Sequence, residues 1–326
     1  MKMVSVRLCL VLFFTSLLTM AAHAGDIWEN VPYEPADVEM HLIQVSPHAY
    51  YVQGVAGEAT ENQGFMSNAG VVITEQGVVV IDALGTPSLA YLLLTKIREV
   101  TDKPIVKVIA THYHADHIYG LQVFKDQGAE IIAPLGAKDY LMSPAAEGRL
   151  TQRRESLFPW VDARTHLVKP DVYVSGDTQF RLGGLDFKIT LLGSTHSQGD
   201  LILNVVQDNV TFAGDLIFEG RIPFVAGAKP QHWIDTLAAM DTTKLKVIVP
   251  GHGAASTNPT TAVNFTLGYL RYLQTHMREA VENLMPFDDA YSSMDWSRYE
   301  KMPAAKVNRM NAYYMYLELE AASVSE

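Results

Sequence analysis

Several short runs of residues along the first 255 positions are apolar at nearly every position and rich in β-branched side chains. Residues 69–74 (AGVVIT) and 78–82 (VVVID) are two such runs, and the Glu75-Gln76-Gly77 segment between them predicts a hairpin. The later run at 105–111 (IVKVIAT) is a candidate for a buried strand. Further strand candidates are 130–133, a series of short strands within about 172–215, and 246–250 (KVIVP).

Apolar residues at helical spacing separate these strands. Pro87 opens a helical stretch that reaches about Val100, and a second helix is expected from His117 to about Gln127, before Gly128. The other helical segments are 136–160, which becomes irregular towards its end, 231–240, and most of the chain from about 259 onward. Strands and helices interleave without a linker rich in Pro, Gly or Ser, which predicts one α/β domain. We expect that domain at 25–326, with a core at about 40–255 and a helical C-terminal extension at about 259–326.

The first 24 residues have a different pattern. Lys2 and Arg7 precede the apolar run 8–20, which is too short to span a bilayer comfortably. Ala22-His23-Ala24 then forms an A-x-A cleavage pattern. This order predicts a secretory signal peptide at 1–24, with an uncleaved anchor as the alternative. The mature protein is therefore expected to be periplasmic or secreted, with no stable membrane insertion.

Cysteine content and net charge limit the chemistry and the partners that the protein can have. Cys9 is the only cysteine and lies in the predicted leader, so the mature protein would have neither a disulfide nor a thiolate nucleophile. Cleavage would remove two positive charges and no acid, which changes the net charge from -11 to -13. This balance argues against nucleic acid as a partner, because phosphates require a basic surface. A small-molecule substrate remains, and the sequence leaves the oligomeric state open.

The segment Thr111-His112-Tyr113-His114-Ala115-Asp116-His117 carries the strongest chemical signal. It follows a predicted strand and precedes a predicted helix, where open α/β sheets place their sites. His112 and His114 are two residues apart, so in extended backbone their side chains point the same way. Three imidazoles and a carboxylate suit zinc better than copper or an iron–sulfur cluster. We therefore expect a metal site here.

The pattern H-x-H-x-D-H in this segment resembles the signature of the metallo-β-lactamase superfamily. The further motifs of that family follow in order: His196 in GSTHSQGD, Asp215 in FAGD and His252 in VPGHG. Asp82, which ends VVVID, matches an early aspartate of the family that usually has a supporting or structural role. The resemblance covers about residues 40–255. It implies a four-layer αββα sandwich of the metallo-β-lactamase type, here with the helical C-terminal extension.

The resemblance also implies a ligand set for two metal ions, expected to be zinc, with other divalent metals such as iron or manganese as alternatives. His112, His114 and His196 would bind the first ion. Asp116, His117 and His252 would bind the second ion, and Asp215 would bridge the two. Zinc lowers the pKa of bound water from about 15.7 to about 7, so the site would generate a hydroxide nucleophile without a separate base. Asp116 would be catalytic as well, by orienting that hydroxide.

Asp215 points to the type of reaction. The β-lactamases of the superfamily typically carry Cys or Ser at this position, whereas a bridging Asp resembles the glyoxalase II-like thioesterases, lactonases and related hydrolases. Finer details, including the RIPFVAGA segment, resemble the periplasmic SoxH-like and quinoprotein-relay zinc metallohydrolases. We therefore expect hydrolysis of a thioester, ester or lactone. Alternatives are a β-lactam hydrolase, a mononuclear iron dioxygenase of sulfur compounds, and a non-catalytic accessory protein.

Two cations follow the bridging position in a loop that contains Gly and Pro. Arg221 and Lys229 could bind an anionic substrate, but the sequence favours solvated surface charges at both positions. The 136–170 segment has no assigned role.

Overall fold

The computed structural model describes residues 31–324, so the predicted signal peptide lies outside the described residues. Twelve strands and nine α-helices are formed by this part of the chain, together with two short 3₁₀ turns at Ala59–Glu61 and Ala305–Val307. In chain order they are β1 Ile43–Gln44, β2 Ala49–Val52, β3 Ala69–Thr74, β4 Gly77–Ile81, α1 Pro87–Arg98, β5 Ile105–Ile109, α2 Ala115–Ile118, α3 Leu121–Asp126, β6 Glu130–Pro134, α4 Gly136–Leu141, α5 Pro144–Ser156, β7 Val172–Val174, β8 Thr178–Leu182, β9 Leu185–Gly193, β10 Asp200–Val205, β11 Val210–Phe218, α6 Pro230–Ala239, β12 Val247–His252, α7 Pro259–Glu282, α8 Phe287–Ser293 and α9 Asn308–Val324.

The strands form two sheets. The first contains seven strands in the order β1-β2-β3-β4-β5-β6-β7, and the second contains five in the order β12-β11-β10-β9-β8. In the first sheet β1 to β4 pair antiparallel, whereas β4 to β7 run parallel. In the second sheet β12 joins β11 in parallel and the other pairs are antiparallel. One edge of the sandwich brings together the carboxyl ends of β4, β5 and β12 with a bend within β11.

Three apolar cores separate four layers. One core lies between the first sheet and α1, α3 and α5, and a second lies between the two sheets. A third packs α6, α7 and α9 against the outer face of the second sheet. Alternate residues of β4 serve different cores, since Val78 and Val80 face the helices while Val79 and Ile81 face the other sheet. Burial of both faces explains why these strands are continuous apolar runs. The predicted αββα sandwich is confirmed.

The hairpin of β3 and β4 forms as predicted, with Thr74 opposite Gly77. The predicted helix from His117 to Gln127 is instead two helices, α2 and α3, with Gly120 between them. The carbonyl oxygen of His117 accepts from Ala83 N at 2.7 Å rather than continuing the helical ladder. At Gly120 the chain lies so close to this segment that a Cβ would be 2.0 Å from the Ala83 oxygen. A contact distant in sequence therefore interrupts the helix.

The C-terminal extension consists of α7, α8 and α9, as expected. Asn311 of α9 is fully buried and connects the extension to the loop after β11. Its side chain accepts from Val225 N at 3.0 Å and donates to the Pro223 oxygen at 2.6 Å and to the Tyr269 hydroxyl at 2.9 Å. Within residues 31–324, no helix has the length and apolar character needed to cross a membrane.

Candidate metal centre

The structure brings all seven side chains of the predicted ligand set together at one edge of the sandwich. They come from four places: the loop after β5 with the start of α2, the loop after β9, the interior of β11 and the end of β12. Two groups of possible ligand atoms form, and within each group the atoms lie within 4.8 Å of one another. The first group is His112, His114, His196 and Asp215, and the second is Asp116, His117 and His252.

Asp215 lies between the two groups. Its Oδ2 is 3.2 Å from His196 Nε2 and 3.9 Å from His112 Nε2 in the first group. Its Oδ1 is 3.2 Å from His117 Nε2 in the second group, and Oδ2 is also 3.3 Å from His252 Nε2. A single carboxylate thus faces imidazoles of both groups.

Asp116 contacts the same two imidazoles of the second group as Asp215 does. Its Oδ2 lies 3.3 Å from His252 Nε2 and 3.6 Å from His117 Nε2. The Asp116 side chain is 18% exposed, whereas that of Asp215 is 4% exposed. His114 is also only partly buried. Solvent therefore reaches the cluster from the side of Asp116 and His114.

Hydrogen bonds on the far side of each ring set the tautomers of three histidines. His117 Nδ1 donates to Asp82 Oδ2 at 2.9 Å, His196 Nδ1 to the Phe224 oxygen at 3.1 Å, and His252 Nδ1 to the Met66 oxygen at 2.6 Å. Because a neutral imidazole carries one proton, the Nε2 atom of each ring is left with a lone pair directed into the cluster. This is the arrangement of histidines that bind metals.

Asp82 supports two parts of the site at once. Its Oδ1 accepts from Thr111 N at 2.7 Å, and Oδ2 accepts from Thr111 Oγ1 at 2.9 Å in addition to His117. Since Thr111 Oγ1 uses its proton on Asp82, it accepts from His112 Nδ1 at 3.0 Å, which leaves His112 Nε2 unprotonated as well. The supporting role expected for Asp82 agrees with these contacts.

The histidines of the cluster differ in whether their surroundings favour the charged or the neutral ring. Burial, with the neighbouring imidazoles, holds the pKa of His112 well below its ordinary value and lowers the pKa of His114 to about 3. Burial also disfavours a charged His117 or His252, but the facing carboxylates outweigh it and raise the pKa of both rings. Burial opposes ionisation of Asp116 and Asp215 too, yet the adjacent His117 and His252 hold the pKa of both carboxyls below the ordinary value.

The donor set fits divalent cations. His112 Nε2, His117 Nε2 and Asp215 Oδ1 are buried without a hydrogen-bond partner, although buried polar atoms nearly always have one. His114 Nδ1 and His196 Nε2 face each other at 2.8 Å, and the bond to Phe224 leaves the second of these nitrogens without a proton. Imidazole nitrogens and carboxylate oxygens at this density are borderline to hard ligands, suited to zinc and to related divalent ions.

Two glycines allow Asp215 to enter the cluster. Gly214 has φ +50°, and a Cβ there would lie 2.5 Å from Thr111 Oγ1. The register of β11 against β12 shifts on both sides of Gly214, so the strand bends immediately before Asp215. At Gly251 a Cβ would be 1.9 Å from Asp215 Oδ1. Gly214 is needed for its positive φ and for the close approach of Thr111, and Gly251 is needed for the close approach of β12 to Asp215.

Some residues of the site have roles that the sequence did not indicate. Asn68 donates to the Pro250 and Gly253 oxygens, each at 2.8 Å, and its Oδ1 accepts from Gly54 N at 3.0 Å, which clamps the loop before β3 to β12. Asp200 accepts four hydrogen bonds from the residues that flank His196. No single-sequence pattern marks Asn68, whereas the Thr and Ser residues around His196 are a weak signal for a carboxylate such as Asp200.

Arg221 is buried, so the expectation that it is a solvated surface charge was wrong. It is 6% exposed, and its Nη1 lies 3.2 Å from His252 Nδ1. Its Nε has no partner, and burial lowers its pKa although Asp215 and Asp116 favour the charged form. Lys229 is exposed and paired with Glu318 at 3.0 Å. The prediction failed for Arg221 because its contact with His252 of β12, 31 residues later in the chain, is not visible in the local sequence.

Comparison with known proteins agrees with this geometry. The sequence model described as "Metallo-beta-lactamase superfamily" matches residues 62–252, which is more than half of the chain. The chain therefore belongs to the metallo-β-lactamase superfamily. Members of this superfamily are generally metal-dependent hydrolases, and this chain is an enzyme of that class with a His/Asp cluster in the expected position.

Among curated relatives, metallo-beta-lactamase IND-1 from Chryseobacterium indologenes is 23% identical over 230 residues, which cover 68% of this chain and 86% of the relative. Metallo-beta-lactamase type 2 from Bacillus cereus is 22% identical over 203 residues, 61% of this chain and 69% of the relative. Among solved structures, a metallo-beta-lactamase from Pontibacter korlensis has a TM-score of 0.58 at 21% identity and covers 72% of this chain and 99% of its own. At this identity the structural likeness shows the fold.

Proposed function

We propose that this chain is an exported dinuclear zinc hydrolase that cleaves a thioester, ester or lactone of a small molecule. The observation that carries the proposal is the position of Asp215. One of its oxygens lies 3.2 Å from His196 and the other 3.2 Å from His117, so the same carboxylate reaches both ligand groups. Such a residue is suited to bridge two cations and to offset their mutual repulsion.

In this proposal His112, His114 and His196 hold one cation, Asp116, His117 and His252 hold the other, and Asp215 is shared. The cations would supply Lewis acidity towards the scissile carbonyl and would acidify water at neutral pH. Acceptors on the far sides of His117, His196 and His252 take the Nδ1 protons and aim the Nε2 atom of each ring into the cluster; these acceptors are Asp82 and the oxygens of Phe224 and Met66. These rings are therefore organised before a cation arrives.

Asp116 is the residue that we assign to proton handling. Its carboxylate is the more exposed of the two in the cluster, while its backbone oxygen accepts from Ser67 Oγ at 2.5 Å. The backbone is thus held while the side chain faces the open side, where a substrate would enter. Asp116 can orient the attacking water and carry its proton towards the leaving group, which accounts for its expected catalytic role.

The identity of the bridging residue supports the substrate class. Position 215 is Asp, which resembles the thioesterases and lactonases of the superfamily rather than its β-lactamases. A β-lactam hydrolase is the second candidate, because relatives at 22 and 23% identity are named as β-lactamases. A panel of thioesters, lactones and β-lactams separates the two. Efficient turnover of several β-lactams with thioesters and lactones untouched would reverse our ranking.

Asp215→Asn tests the dinuclear site. A neutral amide offers one weaker oxygen and no charge, so we expect weaker binding of at least one metal. Loss of a supporting residue typically costs about 10–100-fold in affinity or activity, and loss of a bridge should cost at least that much. The assay is metal stoichiometry together with kcat/KM, with circular dichroism as the folding control.

Asp208→Asn is the matched control for this variant. Asp208 is also a buried aspartate, 6% exposed, in the turn that precedes β11, and it contacts no residue of the cluster. We expect it to retain both metals and full activity. Two tightly held metals and near-normal activity in Asp215→Asn would make Asp215 structural. A wild-type protein that holds a single iron would favour the mononuclear dioxygenase instead.

The cellular setting is part of the proposal. The motivation is the charged and apolar leader ending in Ala22-His23-Ala24, and the resemblance of RIPFVAGA to the periplasmic SoxH-like and quinoprotein-relay zinc hydrolases. N-terminal sequencing of protein from the exported fraction should begin near Gly25. Recovery of protein with an intact Met1 from the cytoplasm would contradict export.

A further inference from the structure

A crevice of about 280 Å³ lies between the loop that carries His196 and the last helix, α9. Tyr314, Leu317 and Glu318 of α9 form one wall. The opposite wall consists of Ser194, Ser197 and Gln198, which flank His196, and the floor is the 227–229 segment. We call this space the α9 crevice. Its α9 wall lies outside residues 62–252, so it is not part of the region that the superfamily shares.

The crevice is fixed to the cluster through the loop after β11. Lys229 N donates to the Thr195 oxygen at 2.8 Å, which joins the floor to the wall at the residue before His196. The Phe224 oxygen in the same loop accepts from His196 Nδ1. Buried Asn311 of α9 bonds to the residues on both sides of Phe224, Pro223 and Val225. The α9 wall is therefore held at a set distance from a cluster histidine.

The lining combines apolar and polar groups, and its one positive and one negative side chain balance each other. Apolar surface comes from the Tyr314 ring, Leu317 and Ala228. Tyr314 is 42% exposed and Leu317 is 37% exposed, so this side of the crevice is open to solvent. Among the described residues, neither the side-chain amide of Gln198 nor the hydroxyl of Tyr314 has a protein hydrogen-bond partner, so both groups are available to a ligand. The one cation, Lys229, is paired with Glu318 through both carboxylate oxygens, at 3.0 and 3.3 Å.

We propose that the α9 crevice binds an uncharged aryl or short alkyl part of the substrate, the part that does not react. An apolar cavity of about 150 Å³ holds benzene, so about 280 Å³ has room for an aromatic ring and a short chain. The ring would pack on Tyr314 and Leu317, and a carbonyl or amide would meet Gln198. Glu318 neutralises Lys229, so an anionic group gains no free cation there. This inference names the substrate class for the proposed hydrolase and rests on it.

The experiment uses two probes of equal size, 3-phenylpropanamide and 3-phenylpropanoate, which differ in charge. Binding to the zinc-loaded mature protein is followed by ¹H–¹⁵N NMR, with the backbone resonances of Gln198, Lys229 and Leu317 as reporters. We expect the neutral probe to shift these resonances and the anion to bind there at least fivefold more weakly. Phenylpropanoyl and acetyl thioesters are then compared as substrates, with KM and kcat measured separately.

Tyr314→Ala should weaken the neutral probe by about fivefold to tenfold, the change expected when about 50 Å² of apolar contact is lost. It should raise KM for the phenylpropanoyl substrate by a similar factor and leave KM for the acetyl substrate unchanged. Tyr313→Ala is the matched control, because Tyr313 is the adjacent exposed tyrosine, 44% exposed, and does not line the crevice. Equal effects of the two variants would overturn the proposal.

Glu318→Gln tests the charge argument. It leaves Lys229 unpaired, so the anionic probe should bind about twofold to fivefold more tightly while the neutral probe is unaffected. Asp288→Asn removes the carboxylate that pairs with Arg309 elsewhere on α9 and should change neither. Hydrolysis without probe binding at the reporters refutes the crevice alone. Probe binding at the reporters without hydrolysis of any ester or thioester refutes the proposed function and leaves a ligand site at α9.

Discussion

Asp200 holds the loop that carries His196, and its replacement tests whether this loop is organised by a buried carboxylate. Oδ2 accepts from Thr195 N at 2.9 Å, Thr195 Oγ1 at 2.6 Å and Ser197 N at 2.9 Å. Oδ1 accepts from Ser197 Oγ at 2.7 Å. The residue is 4% exposed, so water cannot readily replace these bonds. We compare Asp200→Ala with Asp200→Asn.

The two substitutions differ in what they leave unpaired. In Asp200→Ala two buried backbone N–H groups lose their acceptor, at about 1–3 kcal/mol each, while the two hydroxyls can rotate to other partners. We expect a loss of about 3–5 kcal/mol in the free energy of unfolding. In Asp200→Asn the amide oxygen can keep the three Oδ2 contacts, and the NH₂ group can donate to Ser197 Oγ. Only the charge assistance is lost, about 1–2 kcal/mol.

The assay is urea unfolding of the metal-free and the zinc-loaded protein, together with competition titration for zinc. Because the loosened loop carries His196, Asp200→Ala should also weaken zinc at the first ligand group by at least about tenfold. Asp186→Ala is the control, because exposed Asp186 accepts from Arg181 and Gln207 on the outer part of the second sheet and its loss should leave the stability close to that of the wild type. The reasoning fails if Asp200→Ala costs no more than Asp186→Ala, or if zinc affinity is unchanged.

Two further carboxylates give testable outcomes. In Asp82→Asn the amide NH₂ would either face the His117 Nδ1 proton or lose its contact with Thr111, which favours the wrong tautomer of His117. Metal titration and kinetics should therefore show a fall of about 10–100-fold in zinc affinity or activity. An unchanged affinity would count against the tautomer argument. Burial opposes ionisation of Asp208, but hydrogen bonds from Ser46 and His48 outweigh burial and lower the pKa of this carboxyl. The ionised carboxylate therefore stabilises the fold fully above the unfolded pKa of about 3.9, and this stabilisation is lost as the pH falls through the folded pKa. Asp208→Asn should therefore be less stable than the wild type by about 1 kcal/mol at pH 7, and urea unfolding should show this difference shrinking below about pH 4 rather than staying constant.

The sequence by itself determined the order of elements and the identity of the candidate ligands. The apolar runs of β3, β4 and β5 are visible because burial on two faces leaves a local record in consecutive residues. The histidines and aspartates of the site stand in short motifs beside strand ends, so their convergence was predictable once the fold class was known. Their role as metal ligands remains a prediction.

The tertiary structure alone decided what surrounds these residues. The predicted helix after His117 divides because Gly120 meets the backbone of Ala83, a contact across more than thirty residues that no local periodicity encodes. Arg221 is in a polar-looking loop, yet it becomes buried against His252, which is distant in sequence. The crevice at Tyr314 likewise depends on how α9 packs. Periodicity reports which face of an element is buried, whereas the partner on that face is set by packing between segments far apart in the chain.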